Sequence, residues 1–310
     1  MPKILDCTLR DGGYINNWNF PIYSAKNIIE LLKLSKVDFI EIGFYHHNIQ
    51  KIITEDCSNI IAMVDFLKTP IAKILPIENS KIKTLRIIFK KQNYLNALKY
   101  CNEIKNKGYR IFTNATFINE YTNHELIDLI NKINEIKPAA FTITDSIGTF
   151  TSIDIKKIFK IVNNELDSNI AICFHSHNNL GLSYSNAKTL IELNKTRDLI
   201  IDSTIFGMGR GAGNLRSEFI MEYLNKNGAN YNLKPIFEII KNYIFPIYKK
   251  TPWGCSVPYY LSALHKCHPN YAKDLIEKKI DLKRMEKILS SIPYNKKAVY
   301  DNQLISQKLI

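Results

Sequence analysis

The chain has 310 residues, with 42 Lys and Arg against 29 Asp and Glu and a formal net charge of +13. Hydrophobic content of 45% with 23% charged residues is ordinary for a globular protein, and no apolar run reaches the roughly 18 residues of a membrane span. The basic residues are dispersed among asparagine and isoleucine in runs as short as Phe89-Lys90-Lys91 and Lys278-Lys279, so no nucleic-acid surface is expected. A positive field that draws in an anionic substrate is the functional use left open.

Strand sequence begins at Lys3, which leaves no room for a signal peptide, and a cytoplasmic protein is expected. The six cysteines Cys7, Cys57, Cys101, Cys173, Cys255 and Cys267 form no Cys-x-x-Cys pair. Cys7 and Cys173 lie in expected strands and read as buried small hydrophobes rather than disulfide or redox groups.

Eight β-branched runs are expected as strands: Lys3–Thr8, Asp38–Gly43, Ala72–Leu75, Thr84–Phe89, Arg110–Thr116, Ala139–Thr144, Ile170–Phe174 and Leu199–Ile205. Most are apolar throughout, as parallel strands covered on both faces must be. Between them lie helical periodicities at Ser24–Lys36, capped by Ser24, and at Asn123–Ile136, Thr151–Leu166 and Leu180–Leu193. The stretch from Pro76 to Lys83 is too short for a full helix. The pattern predicts an α/β fold, a (β/α)8 TIM barrel over residues 1–230. From residue 231 to 310 strands disappear, and Pro235–Tyr248, Pro269–Lys279 and Asp281–Ser290 read as a C-terminal helical appendage that closes the barrel, extends its pocket or meets another subunit.

In such a barrel the chemistry sits at the carboxyl ends of strands. Thr8-Leu9-Arg10-Asp11-Gly12 follows the first strand and His175-Ser176-His177-Asn178 ends the seventh. The i, i+2 spacing points both imidazoles to one face. Gly207-Met208-Gly209-Arg210-Gly211-Ala212-Gly213-Asn214 follows the eighth strand, which closure sets beside the first. Asp11, His175 and His177, with or without the Asn214 amide oxygen as a fourth donor, then make a mixed N/O site for Mn²⁺ or Mg²⁺, with Co²⁺ or Zn²⁺ also compatible. Open positions on such an ion suit the keto and carboxylate oxygens of a 2-oxo acid, whose enolate the ion would stabilise with help from Arg10.

These three segments together resemble the DRE-TIM metallolyases, whose members include hydroxymethylglutaryl-CoA lyase, 4-hydroxy-2-oxovalerate aldolase, and isopropylmalate and homocitrate synthases. The resemblance covers roughly residues 1 to 230 and leans to the aldolase branch. It implies a divalent-metal lyase or aldolase that handles a pyruvate-type enolate with an aldehyde partner, Asp11, His175, His177 and Asn214 holding the metal and Arg10 steadying the enolate. Glu41 and Asp145 fall where such barrels carry polar pocket residues, and Arg210 is read with them as a substrate contact. Glu41, inside an apolar strand, is expected to face inward and bond Arg10, since burial unpaired would cost several kcal/mol. Asp145 also suits a cap for the following helix.

The departures are specific. Gly13 and Tyr14 stand where the synthases carry Glu-Gln, the loop after the eighth strand has Arg210 but no reactive cysteine, and Tyr14 replaces the histidine base of the aldolases. Tyr14, His46, His47 or a metal-bound water could serve as the base. Residues Tyr14–Phe20 and Phe44–Asp56 are expected to set specificity. A homodimer or a partner dehydrogenase is a further implication of the resemblance. The competing readings are an acyl-CoA-dependent Claisen condensing enzyme, a non-haem Fe(II) oxygenase and a barrel that serves as a non-catalytic partner subunit.

Overall fold

Eight short apolar runs become eight parallel strands that close on themselves in chain order. The computed structural model describes residues 1–54 and 58–309. The strands are β1 (Lys3–Asp6), β2 (Phe39–Phe44), β3 (Ile60–Asp65), β4 (Thr84–Phe89), β5 (Arg110–Ala115), β6 (Ala140–Asp145), β7 (Ala171–Ser176) and β8 (Leu199–Ser203). Closure is made by β1 against β8, with Lys3 opposite Ile200 and Asp6 opposite Ser203.

The third strand corrects the sequence reading. Ala72–Leu75 is not a strand; residues Ile71–Lys73 form a single 3₁₀ turn and Ile74 ends it. The run Ile60–Asp65 pairs instead with β2 and β4. The six-residue run, Ile60-Ile61-Ala62-Met63-Val64-Asp65, is long enough to cross the barrel wall, whereas the shorter run lies between Pro70 and Pro76, which confine it to a turn.

Helices α1 (Ile22–Leu34), α2 (Tyr94–Asn106), α3 (Asn123–Ile136), α4 (Ser152–Glu165), α5 (Ser183–Leu193) and α6 (Ser217–Lys226) wrap the barrel. Only 3₁₀ turns follow β2 and β3 among the described residues. Pro21 rather than Ser24 precedes α1. In α3 and α4, Thr122 with Glu125 and Thr151 with Asp154 form reciprocal capping boxes that set the helix starts. The outer core is the seam between these helices and the outward strand faces, including Ile28, Ile40, Leu85, Leu129 and Ile172.

The C-terminal periodicity breaks where the sequence reading has one helix. Helix α7 (Lys234–Ile239) passes through a π turn at Ile240–Ile244 into α8 (Phe245–Lys250). Pro246, which has no N–H to donate, accounts for the break. Ile236, Ile239, Ile244 and Trp253 still pack into the barrel's outer core. The later helices α9 (Val257–Leu264), α10 (Pro269–Glu277), α11 (Leu282–Ser290), α12 (Tyr294–Lys297) and α13 (Asn302–Leu309) build a small core of their own around Tyr271, Leu275, Met285 and Leu289. No helix among the described residues is long and apolar enough to cross a membrane.

Inside the barrel the strands stack in layers. The lowest is apolar, with Leu5, Phe39, Ile61, Phe112, Ala171 and Ile200, and the Arg110 guanidinium lies against the Phe39 and Phe112 rings. Above it lies an ionic layer of Glu41, Arg86 and Asp202, all buried. The candidate site crowns that layer.

Candidate metal centre

The loop after β1 is shaped by its own backbone. The Cys7 carbonyl accepts from the amides of Arg10, Asp11 and Gly12, which curls the chain across the barrel mouth. Thr8 ties that curl to the β8 loop: its hydroxyl donates to Asp6 Oδ2 at 3.0 Å and accepts from the Ile205 amide at 2.8 Å. Segments nearly two hundred residues apart in sequence are thereby locked together.

The glycine-rich loop then delivers Asn214. Gly213 has φ +79°, and a Cβ there would stand 2.0 Å from the Gly207 carbonyl oxygen, so no larger residue closes this turn. Asn214 bridges antiparallel to His177, and the Asn178 amide donates to the Gly213 carbonyl at 2.8 Å.

The groups meet as follows. His175 Nε2 lies 3.8 Å and His177 Nδ1 4.0 Å from Asp11 Oδ2. The three residues' ligand atoms all fall within 4.8 Å of one another. The two imidazoles stand edge to face, with ring centroids 5.1 Å apart. The Asn214 amide Nδ2 donates to Asp11 Oδ2 at 2.7 Å and to the Met208 carbonyl at 2.9 Å, while Asn214 Oδ1 is buried with no hydrogen-bond partner. A buried amide oxygen without a partner is costly by itself and fits a cation ligand. The donor set of one carboxylate, two imidazoles and one amide oxygen suits a divalent ion of the Mn²⁺ or Mg²⁺ kind, with Co²⁺ or Zn²⁺ also compatible.

Protonation favours the same reading. Burial pushes the Asp11 carboxyl up, but Arg10, His177, His175 and Arg210 outweigh it and hold the group well below the usual carboxylate range. Burial lowers the His177 pKa to about 3 against the pull of Asp11, so the ring is a neutral donor. His175 also belongs to a second cluster, with Cys7 and Asp202. In that cluster Asp202 is paired with Arg86 at 2.6 Å and with His175 Nδ1 at 3.0 Å.

Behind the site runs the ionic layer. Arg10 Nη1 pairs with Asp11 Oδ1 and Arg10 Nε with Glu41 Oε2, each at 2.5 Å. Arg86 Nη1 lies 3.6 Å from Glu41 Oε1, and Arg86 Nη2 lies 2.6 Å from Asp202 Oδ2. Asp202 Oδ2 in turn accepts from His175 Nδ1 at 3.0 Å, which fixes the tautomer and turns Nε2 toward Asp11. The circuit Asp11–Arg10–Glu41–Arg86–Asp202–His175 thus begins and ends at the candidate ligands.

Some but not all of the residues singled out from sequence join this arrangement. Arg10, Asp11, Tyr14, His175, His177 and Arg210 line one cavity of about 440 Å³, with Asn214 at its edge through Asp11. Glu41 is wholly buried behind Arg10 and does not line the cavity. Asp145 turns away as well: its two oxygens accept from the Thr149 and Phe150 amides at 2.9 and 3.0 Å, so it shapes the loop before α4. His46 lines a separate, mostly apolar cavity beside Trp18 and Phe44. The His47 side chain, Asp56 and Cys57 lie outside the described residues.

Sequence reasoning missed Arg86 and Asp202, and it gave the segment His268-Pro269-Asn270-Tyr271 no chemistry. Arg86 stands in Leu85-Arg86-Ile87 and Asp202 in Ile201-Asp202-Ser203, and a charge inside an apolar strand is the signal that drew attention to Glu41. His268 reaches the cavity from the turn before α10, a position no barrel motif marks.

The HMGL-like family profile matches residues 1–241. The chain belongs to the HMGL-like family. Among its relatives, the 4-hydroxy-2-oxovalerate aldolase of Bacillus cereus is 22% identical over 74% of this chain and 72% of that protein. The oxaloacetate decarboxylase of Mycobacterium tuberculosis is 21% identical over 78% of this chain and 76% of its own length. The 4-hydroxy-2-oxovalerate aldolase of Pseudoalteromonas translucida reaches 32% identity, but over 34% of this chain; the match spans 30% of that aldolase. Among solved structures, the N-terminal domain of a Bacteroides vulgatus protein provisionally described as an aldolase is 30% identical, with TM-score 0.75, over 89% of this chain and 96% of that one. The HMG-CoA lyase of Bacillus subtilis shares the fold, at 16% identity and TM-score 0.67 over 82% of this chain and 96% of its own.

Proposed function

We propose that this HMGL-like protein is a divalent-metal-dependent carbon–carbon lyase that joins or separates a 2-oxo acid of the pyruvate type and an aldehyde. The observation that carries the reading is the convergence of Asp11, His175, His177 and Asn214 on one end of a cavity, with Arg10 anchored beside them. The names of the aldolase and decarboxylase relatives support the same chemistry.

Bound among those four residues, a divalent cation supplies Lewis-acid polarisation of the 2-oxo group. The protein supplies the rest. Arg10 is fixed by Asp11 and Glu41, and its Nη2 is buried without a partner, a donor ready for negative charge developing on the keto oxygen. Tyr14 lines the cavity and is held edge-on to Trp18, with the ring centroids 4.5 Å apart. Trp18 is fixed in turn by its indole N–H on the Arg10 carbonyl at 2.7 Å. We assign Tyr14 the proton of the 4-hydroxyl group. Condensation forms a bond between C3 of the 2-oxo acid and the aldehyde carbon, giving a 4-hydroxy-2-oxo acid; the proton that leaves C3 passes to water in the cavity, and Tyr14 delivers one to the aldehyde oxygen and regains one from water. Cleavage reverses each step.

The test is exchange of the pyruvate methyl protons in D₂O followed by NMR, on metal-stripped protein and after Mn²⁺ or Mg²⁺ is restored. Exchange that needs the cation, and that Asp11→Asn abolishes together with stoichiometric Mn²⁺ binding, is expected. Metal-independent exchange, or none with any divalent ion, overturns the reading.

A further inference from the structure

We infer that the aldehyde half of the substrate ends in a second anionic group, a carboxylate or phosphate, received by Arg210, Lys90 and His268. The inference rests on the lyase reading and narrows its substrate class.

The cavity holds four basic side chains in two different conditions. Arg10 is paired with Asp11 and Glu41, and Lys68 lies 3.0 Å from Asp65 Oδ2. Those pairs engage both carboxylates that line the cavity, Asp11 and Asp65. Arg210 and Lys90 have no carboxylate partner among the described residues. Each rests on an aromatic ring instead: the Arg210 guanidinium lies 3.8 Å from the Tyr14 centroid and Lys90 Nζ 5.7 Å from that of Phe117. Tyr14 follows β1 and Phe117 follows β5, which stand on opposite sides of an eight-stranded barrel. The two cations therefore approach one cavity from opposite walls.

His268 joins them from the C-terminal helices. Its Nδ1 accepts from the Asn270 amide at 3.2 Å, which leaves Nε2–H as a donor. Burial, with Arg210, His177 and Lys90 nearby, keeps the ring neutral. A merely solvated lysine and a merely stacked arginine would be a sufficient account of either cation alone. Two unpaired cations and a neutral donor facing one cavity need more. On the lyase reading the carboxylate of the 2-oxo acid is taken up at the Arg10 end of the cavity, and a neutral aldehyde offers Arg210, Lys90 and His268 nothing.

The experiment compares charged and neutral aldehydes of similar size: succinic semialdehyde against butanal, and glyceraldehyde 3-phosphate against glyceraldehyde. Each is condensed with pyruvate by wild-type protein, Arg210→Gln and Lys90→Gln, and each is titrated calorimetrically without pyruvate. The expected result is a preference for the anionic member of about 10- to 100-fold in kcat/KM, the size of one charge-assisted hydrogen bond. Both variants should reduce that preference, and the better pair tells carboxylate from phosphate. Equal kcat/KM for charged and neutral members, with metal-dependent pyruvate exchange intact, overturns the subsite and leaves the lyase reading standing. If exchange is absent the lyase reading falls, and calorimetry decides the subsite. Tighter binding of the anionic members that Arg210→Gln removes then supports it, and equal binding of charged and neutral members overturns it.

Discussion

His175 is gripped from behind by Asp202: its Nδ1 lies 3.0 Å from Asp202 Oδ2, while Nε2 faces Asp11 at 3.8 Å. The carboxylate selects one tautomer and one ring orientation without touching the cavity. Asp202→Asn removes the charge and keeps the shape. Metal affinity is expected to fall about 10- to 100-fold, the usual effect of losing an outer partner of a histidine ligand. Direct Mn²⁺ titration checks this, and wild-type affinity in the variant would remove Asp202 from the site's support.

Arg86 tests the ionic layer as a structural element. It is fully buried between Glu41 and Asp202, and Arg86→Met leaves Asp202 without its guanidinium and Glu41 with Arg10 alone. A loss of about 3–5 kcal/mol of stability is expected, because removing one partner of a buried ion pair leaves an uncompensated charge. Lys226→Ala, which breaks the exposed pair with Glu222, should shift the denaturation midpoint by nothing measurable. Similar midpoints for the two variants would contradict this account.

Gly209 gives a steric test. A Cβ there would stand 2.3 Å from Asn214 Nδ2, and nothing in its backbone conformation forbids alanine. Gly209→Ala should therefore push the Asn214 amide aside, weakening Mn²⁺ binding by about tenfold or more while costing about 2 kcal/mol or less in stability. Unchanged affinity in a folded variant would show that Asn214 is not a ligand.

The third strand and the ionic layer show where sequence reasoning ran short. Thr8–Gly12 and His175–His177 were legible because closure of any parallel eight-stranded barrel brings the first, seventh and eighth strands together, whatever the side chains. Ile60–Asp65 was missed because two apolar runs competed for one strand. Both hold buried residues, Ile74 among them, so hydrophobicity could not choose; length and the flanking prolines did. Arg86 and Asp202 were missed for another reason. Alternation says that a side chain points inward but not which charge it meets across the barrel, and Arg86 reaches Asp202 from four strands away. Glu41 could be paired with Arg10 in advance because β1 and β2 are neighbours.

The pH response of His268 follows from its surroundings. Burial first, then Arg210, His177 and Lys90, lower its pKa to about 3 in the folded protein, against about 6.5 in an unfolded chain. The unfolded state therefore binds the extra proton between these values. The neutral ring's contribution to stability is complete above about pH 6.5 and is lost as pH falls toward 3. The imidazole Cε1–H resonance should stay at its neutral position from about pH 8 to 5, and His268→Gln should flatten part of the stability loss below about pH 6.5. Titration of that resonance near pH 6.5 would contradict the placement.

The circuit that starts at Asp11 and ends at His175 has an order of assembly built into it. Three carboxylates against two guanidiniums leave one negative charge in excess on this circuit. A divalent cation reverses the sign of that excess, and a monoanionic acid arriving next brings it to neutrality. On the lyase reading the circuit is thus primed to take its cation before its acid.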